Sequence, residues 1–411
     1  MSETEKGPWL TDKWWTTPHN YVTELRDQFT LPERVNVHEV TLREGEQSPG
    51  VTFTKNDKKK IAQALDALGV YSLELTWPVV SKDDEEVAKE LGRSKHNAKL
   101  ICVSRMVKDD VDRVLKCDVD GIVIGCPIGN PWAAKTYLGL NEKEAIEKLV
   151  GLVIYAKEHG LFTKVRPWDN SRAPLSYLKR LFTALANEGH ADRVVFSDTF
   201  GMLLPATATW MFRNLRNWVP QTPLEIHVHN DYGLATAIEI GAVCGGASVV
   251  HTAINTLGER AGNASTQEVV MALELLLGLK TGVNLDKLYE TSKLIEELSK
   301  VEMSPNSPIT GSWLHQSGSG MVVSYQEKSK AAGRPAANLP FMPDIIGKPA
   351  ATYVLGKMSG AFVVQMKLKE MGISATEEQV DKIVQLVKKA GIDKKGTVRT
   401  EEFKKILKQV L

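Results

Sequence analysis

The stretch "VNVHEVTLREGEQSPGVTFTKNDKKKIAQALDALGVYSLELTWP" (35–78) holds one full cycle of the pattern that decides the fold. It begins with a short apolar, β-branched run, "VNVHEVTL" (35–42), which gives way to "REGEQ". "KNDKKKIAQALDALGV" (55–70) then spaces its apolar residues for a helix and ends near a glycine. "SLELTWP" (72–78) starts the next apolar run. Arg43, Glu44, Glu46 and Gln47 therefore crowd into the place where a strand is expected to turn into a loop.

Outward from this stretch the cycle repeats. Further runs are "KLICVS" (99–104), "GIVIGCP" (121–127), "FTKVRP" (162–167), "RVVFSDT" (193–199), "LEIHVHND" (224–231) and "VVHTAINTLG" (249–258). Segments with helical spacing such as "EKEAIEKLVGLVIYAKEHG" (142–160) lie between them. Strand–helix alternation repeated eight times over about 250 residues predicts an α/β fold, a (β/α)8 TIM barrel. The competitor is a doubly wound open sheet, but no glycine-rich phosphate turn follows the first strand. In a barrel, function collects where strands end. The polar segments "TLREGEQ", "RPWDNSR", "SDTFG", "HVHND" and "NTLGERAGN" all fall at such ends, and their distribution argues for an enzyme.

The barrel is expected over 33–285, after a tryptophan-rich arm (1–32) that packs on the barrel or on a neighbour. Beyond it, 286–411 reads as a C-terminal helical and linker region that contributes to the active site. The tail helices are amphipathic and lysine-rich, and "DKKGTVRTEEF" lacks the alternating acids of a calcium loop. Composition sets further bounds. The 411 residues are 43% hydrophobic and 25% charged, with a net charge of +1. That is enough apolar material for a sizeable core, and the absence of a basic footprint sets nucleic-acid binding aside. The N-terminus lacks a secretory pattern, and no run approaches the roughly 18 apolar residues of a membrane span. The four cysteines, Cys102, Cys117, Cys126 and Cys244, form no C-x-x-C pair and read as reduced, buried thiols of a cytoplasmic protein.

His227 and His229, two apart on one strand, point to the same face. An H-x-H pair by itself is often only a polar strand. Here Glu44 on the opposite rim can supply a carboxylate and Asn263 an oxygen, which together favour a divalent-metal site with open positions. For Arg43 the plain reading is a surface salt bridge with Glu46 or Glu259. The functional reading is a fixed positive charge beside a metal, useful where an enolate or alkoxide develops.

"TLREGEQSPG", "LELTWPVVS", "SDTFG", "HVHNDYGLA" and "NTLGERAGN" resemble the α-isopropylmalate synthase/homocitrate synthase family, in its order and spacing, over residues 33–365. These are metal-dependent barrels related to hydroxymethylglutaryl-CoA lyase. "LREGEQ" and "LELT-P" are most similar to homocitrate synthases, whereas "GERAGN" is closer to the isopropylmalate synthases and lyases. The resemblance implies a Claisen condensation of acetyl-CoA with a 2-oxo acid, followed by thioester hydrolysis: the work of an acyltransferase. It implies Glu44, His227 and His229 as metal ligands, with Asn263 as a further one, and Mn, Mg, Zn or Co as the ion. It also implies Arg43 as the charge stabiliser and Gln47, Thr199 and Arg172 as substrate contacts. His315, in "SWLHQSGSG", matches the histidine that deprotonates the acetyl methyl group. The resemblance also implies a homodimer, and with Leu411 the last residue no leucine-binding regulatory domain is expected.

Three departures stand out. Trp168 occupies the place of the family's acceptor-site glutamate, with Arg166 two residues before it where a small polar residue is usual. By strand alternation Lys164, Arg166 and Trp168 share a face. Arg166 is either paired to Asp169 or Asp198 at a repacked strand end, or it grips the second carboxylate of a dicarboxylic acceptor. Met358 and Asn338 replace a histidine and a tyrosine. The expected acceptor is therefore oxaloacetate, giving citrate by the Re-type route, or 2-oxoglutarate, giving homocitrate. The alternatives are an isopropylmalate or citramalate synthase, a hydroxyacyl-CoA lyase, and a metal-binding pseudoenzyme.

Overall fold

Eight parallel strands close on themselves in sequence order. They are β1 (Asn36–Glu39), β2 (Ser72–Glu74), β3 (Lys99–Ser104), β4 (Gly121–Cys126), β5 (Phe162–Pro167), β6 (Arg193–Asp198), β7 (Leu224–Val228) and β8 (Val249–Ala253). Closure is made by β1, where His38 lies opposite Ser72 of β2 on one side and His251 of β8 on the other. A two-residue strand, β9 (Ala264–Ser265), adds to β8. The computed structural model describes residues 7–411. All eight expected strands are present, and the fold is the predicted barrel.

The helices that return the chain follow from local sequence. Lys55–Leu68 starts at a capping box between Thr54 and Asp57, so two otherwise unpaired groups at its first turn are satisfied reciprocally. It buries Ile61, Ala62, Leu65 and Leu68 and stops at Gly69, whose φ of 84° is the left-handed conformation of a helix C-terminus. All four cysteines are buried and unpaired.

Inside, the barrel departs from the usual filling of branched apolar side chains. His38, Glu74, Lys164, Arg166, Glu225, His227 and His251 are buried there as an ionic lattice. Lys164 Nζ lies 2.9 Å from Glu225, which also meets His251 at 2.7 Å. Arg166 Nη1 lies 3.0 Å from Glu74, which meets His38 at 3.2 Å. A buried charge costs several kcal/mol unless paired, and even paired it is rarely more stable than an apolar replacement. This interior points to function.

Two compact units divide the chain: one is His19–Met303, the other Met1–Pro18 with Ser304–Leu411. The barrel unit thus runs past the expected boundary at 285, because the helix Leu288–Ser299 packs on the barrel helix Lys55–Leu68 and its Ser292 carbonyl accepts from Asn255 at 2.9 Å. The tryptophan-rich arm is likewise divided. Its described residues up to Pro18 belong with the second unit, where the Met342 amide donates to the Lys13 carbonyl at 2.7 Å and Lys13 pairs with Asp344. The second unit has its own core, built around Val363, Ile383, Val387 and Phe403 from three helices. Among the described residues no helix is long and apolar enough to cross a membrane.

Candidate metal centre

At the C-terminal ends of the strands, β1 stops earlier than the sequence suggested. "TLRE" is a single helical turn, Thr41–Glu44, and not the end of a strand. The turn is held by Glu39, which accepts from the Thr41 amide at 2.9 Å, the Thr41 hydroxyl at 2.6 Å and the Ile254 amide at 3.0 Å. Burial pushes the Glu39 carboxyl up to about 7, against these hydrogen bonds. The turn presents Arg43 and Glu44 inward, both buried.

Across the barrel, alternation along β7 aims Glu225, His227 and then His229 inward. One ligand atom from each of Glu44, His227 and His229 lies within 4.8 Å of the others. Asn263 joins them through a backbone bridge to His229. Its amide nitrogen donates to the Val228 carbonyl at 3.2 Å, and its oxygen has no hydrogen-bond partner. Gly258 makes room for that oxygen, since a Cβ there would sit 2.2 Å from it.

Glu44 Oε2, His227 Nδ1, His229 Nδ1 and Asn263 Oδ1 are buried, and none has a hydrogen-bond partner. Such groups are costly to leave alone. Two imidazoles and a carboxylate that lie close together, with an unsatisfied amide oxygen on the segment bridged to His229, fit a divalent cation. The electrostatics agree. Burial, reinforced by Arg166, lowers the His227 imidazole to about 3, so near neutral pH one ring nitrogen offers a lone pair. Burial also lowers His229. Burial pushes the Glu44 carboxyl up, but Arg43 and the two imidazoles outweigh it and hold it well below the usual carboxylate range.

The Arg43 guanidinium is fully engaged. It bonds Glu74 through Nε at 2.5 Å, and it also contacts Glu44 and the Gln47 amide oxygen. The expected surface partners are not its partners: Glu46 pairs with Lys58 at 2.6 Å and Glu259 with Arg260 at 3.1 Å. Arg166 pairs with neither Asp169 nor Asp198. Its Nη1 meets both oxygens of Glu74, at 3.0 and 3.2 Å, because β2 and β5 both point these residues into the barrel. The remaining nitrogens of the Arg166 fork have no partner among the described residues.

A cavity of about 350 Å³ joins these groups; Arg43, Glu44, Gln47, Arg166, Thr199, His227 and His229 line it with Trp77 and Trp168. Asn263 is fully buried and does not line this cavity. Arg172 is not part of this wall. It pairs with Asp169 at 2.6 and 2.7 Å, stacks over Phe200, and lines a neighbouring cavity. His315 lies in the second unit, fixed by a short parallel pairing of Gln316–Ser317 with Thr352–Tyr353. Its Nε2 donates to the Phe341 carbonyl at 3.0 Å, so in the neutral ring the lone pair sits on Nδ1, and burial lowers its pKa.

Sequence reading passed over Glu74, the residue that ties Arg43, Arg166 and His38 together. Its signal was an acid in the middle of a strand, on the inward alternate of "SLELT".

The description HMGL-like belongs to the family model that matches residues 34–295. A homocitrate synthase AksA of Methanopyrus kandleri is 35% identical over 95% of this chain and 96% of its own length. A putative (R)-citramalate synthase CimA of Archaeoglobus fulgidus is 37% identical over 92% of this chain and 76% of its own. In structure, an HMG-CoA lyase of Bacillus subtilis superposes with a TM-score of 0.61 at 23% identity, covering 68% of this chain and 97% of that one, a likeness of fold.

Proposed function

The chain belongs to the HMGL-like family, and from that premise we propose that it is an acyltransferase condensing acetyl-CoA with a 2-oxo acid that carries a second carboxylate. The observation that carries this reading is the convergence of Glu44, His227 and His229 beside Arg43, with the unsatisfied Asn263 oxygen on the adjoining segment, in a cavity that also receives the open side of Arg166. Relatives named homocitrate and citramalate synthases support the condensation.

A divalent cation held by that donor set supplies a Lewis acid and template for the acceptor's ketone and carboxylate. The protein's own groups do the rest. His315, neutral by burial, takes a proton from the acetyl methyl group at Nδ1. The resulting enolate carbon bonds to the ketone carbon, and the ketone oxygen gains the charge and then takes up a proton to become the product's hydroxyl. Arg43 stabilises both negative charges without moving, because Glu74 and Gln47 hold its guanidinium in place. Gln47 and Thr199 contact the acceptor, and the free nitrogens of Arg166 grip its distal carboxylate. Water then cleaves the thioester, releasing the CoA thiol. The donor set suits Mn, Mg, Zn or Co. Arg172 as a substrate contact, a homodimer and a cytoplasmic location belong to the same reading.

One observation favours a second acceptor class: Trp77, Val103 and Trp168 also line the cavity and suit a short apolar side chain, as in a citramalate or isopropylmalate synthase. Thiol release from acetyl-CoA with oxaloacetate, 2-oxoglutarate, pyruvate and 2-oxoisovalerate separates the two. Dicarboxylates should be preferred, and Arg166→Gln should raise their KM at least about tenfold, the loss of one charged hydrogen-bonded contact. Preference for pyruvate or 2-oxoisovalerate rejects the dicarboxylate part.

A further inference from the structure

Trp168, together with Thr199 and Phe200, lines both of two cavities of opposite character. On one side lies the charged, metal-side cavity of about 350 Å³. On the other lies a cavity of about 550 Å³, apolar where Met106, Val107, Pro127 and Leu138 line it. The indole is 38% exposed and faces both.

Its position is built, not incidental. The Trp168 amide donates to the Cys126 carbonyl at 2.8 Å. Glycines on the neighbouring segment let it approach: a Cβ at Gly129 would sit 1.8 Å from the Trp168 carbonyl oxygen, and one at Gly125 would sit 3.2 Å from the indole nitrogen. The chain then turns sharply at Asp169, whose φ of 67° is unusual for a residue with a Cβ. Such a conformation persists only where surroundings impose it. Here they do: the Asp169 carboxylate takes Arg172 and Asn130, and its amide donates to the Thr199 hydroxyl at 2.8 Å.

We propose that Trp168 is a specificity-determining residue that closes the acceptor compartment and limits the length of the 2-oxo acid chain, with the apolar cavity lying just beyond that limit. This rests on the condensing activity proposed above. An acceptor whose ketone and carboxylate sit among Glu44, His227 and Arg43 has its distal chain directed at the Arg166–Trp168 wall. Removing the indole joins the two cavities and admits a longer chain into apolar surroundings.

The test is kcat/KM for 2-oxo acids lengthened one methylene at a time, in monocarboxylic and dicarboxylic series, with wild type, Trp168→Ala and Trp168→Phe. One methylene in such a pocket is worth about 10- to 200-fold. In Trp168→Ala the long-to-short ratio should rise at least about tenfold in one series, with Trp168→Phe intermediate. Divalent-metal binding by each variant, measured by calorimetry, reports that the site is still formed. A wild type active on short acceptors with an unchanged length profile in both variants overturns the partition alone. A folded, metal-loaded wild type inert to every 2-oxo acid sinks the proposed activity and the partition with it.

Discussion

Glu44 is the carboxylate of the proposed centre. Its carboxylate meets His227 at 3.3 Å and the Arg43 guanidinium, and one oxygen is left without any partner. Glu44→Gln keeps the shape and removes the charge. Divalent-metal affinity by calorimetry should fall by at least about a hundredfold, the upper end of what even indirect supports of a metal ligand cost. The metal-free fold should survive, because Arg43 keeps Glu74. Unchanged metal affinity would remove Glu44 from the ligand set. Arg43, Glu44 and the two histidines were legible because each is a charged or ligating residue at the end of an apolar run. The partners of Arg43 and Arg166 were not. Alternation shows that a side chain points inward, but Glu74 and Arg166 are 92 residues apart in sequence, and only closure of the barrel brings them together.

At the scale of elements, strand existence was legible and strand ends were not. Val40 and Leu42 continue the apolar pattern of β1, so nothing local announces the helical turn Thr41–Glu44. The cause is Glu39, whose carboxylate draws in the Thr41 and Ile254 amides, one of them from the far side of the closure. Glu39→Ala leaves the Thr41 amide buried without an acceptor, at about 1–3 kcal/mol, and the Ile254 amide with the Thr41 hydroxyl as its remaining one. Urea unfolding should show a loss in that range or above. Metal affinity should fall too, since the turn carries Glu44. Glu39→Asp, which restores a carboxylate, should recover part of both. Wild-type stability and metal binding in Glu39→Ala would mean that the turn holds itself.

For the whole molecule, the polar interior was the least legible feature, because each charge sits on a strand that otherwise reads as apolar. It has a consequence for acid stability in the metal-free protein. Burial, with Lys164 adding to it, lowers His38 to about 4, and burial, with His38 adding to it, lowers His251 to about 3. As pH falls below 6.5 the unfolded chain takes up these protons first, which costs up to about 1.4 kcal/mol per pH unit for each imidazole. His227, His229 and His315, also lowered by burial, add to this loss, which between pH 7 and 4.5 is opposed only in part by Glu39, Glu239 and Glu268, whose carboxyls burial raises and which bind protons more readily when folded. Below 4.5 the opposition ends, and the depressed carboxyls of Glu74 and Glu225 add to the loss. The urea midpoint should begin to fall below about pH 6.5 and drop more steeply below about 4.5; a midpoint that stays level from pH 7 to 4 would contradict the buried lattice. The boundary at Met303 was hidden for a related reason, since a helix that packs on the barrel looks the same in sequence as one that leaves it. The most direct test of the central claim is CoA thiol release by chelator-treated protein, with acetyl-CoA supplied with and without a 2-oxo acid, before and after a divalent cation is restored. Rapid release is expected only when cation and 2-oxo acid are both present; release that is equally fast in chelator, or without any acceptor, would contradict a metal-centred condensation.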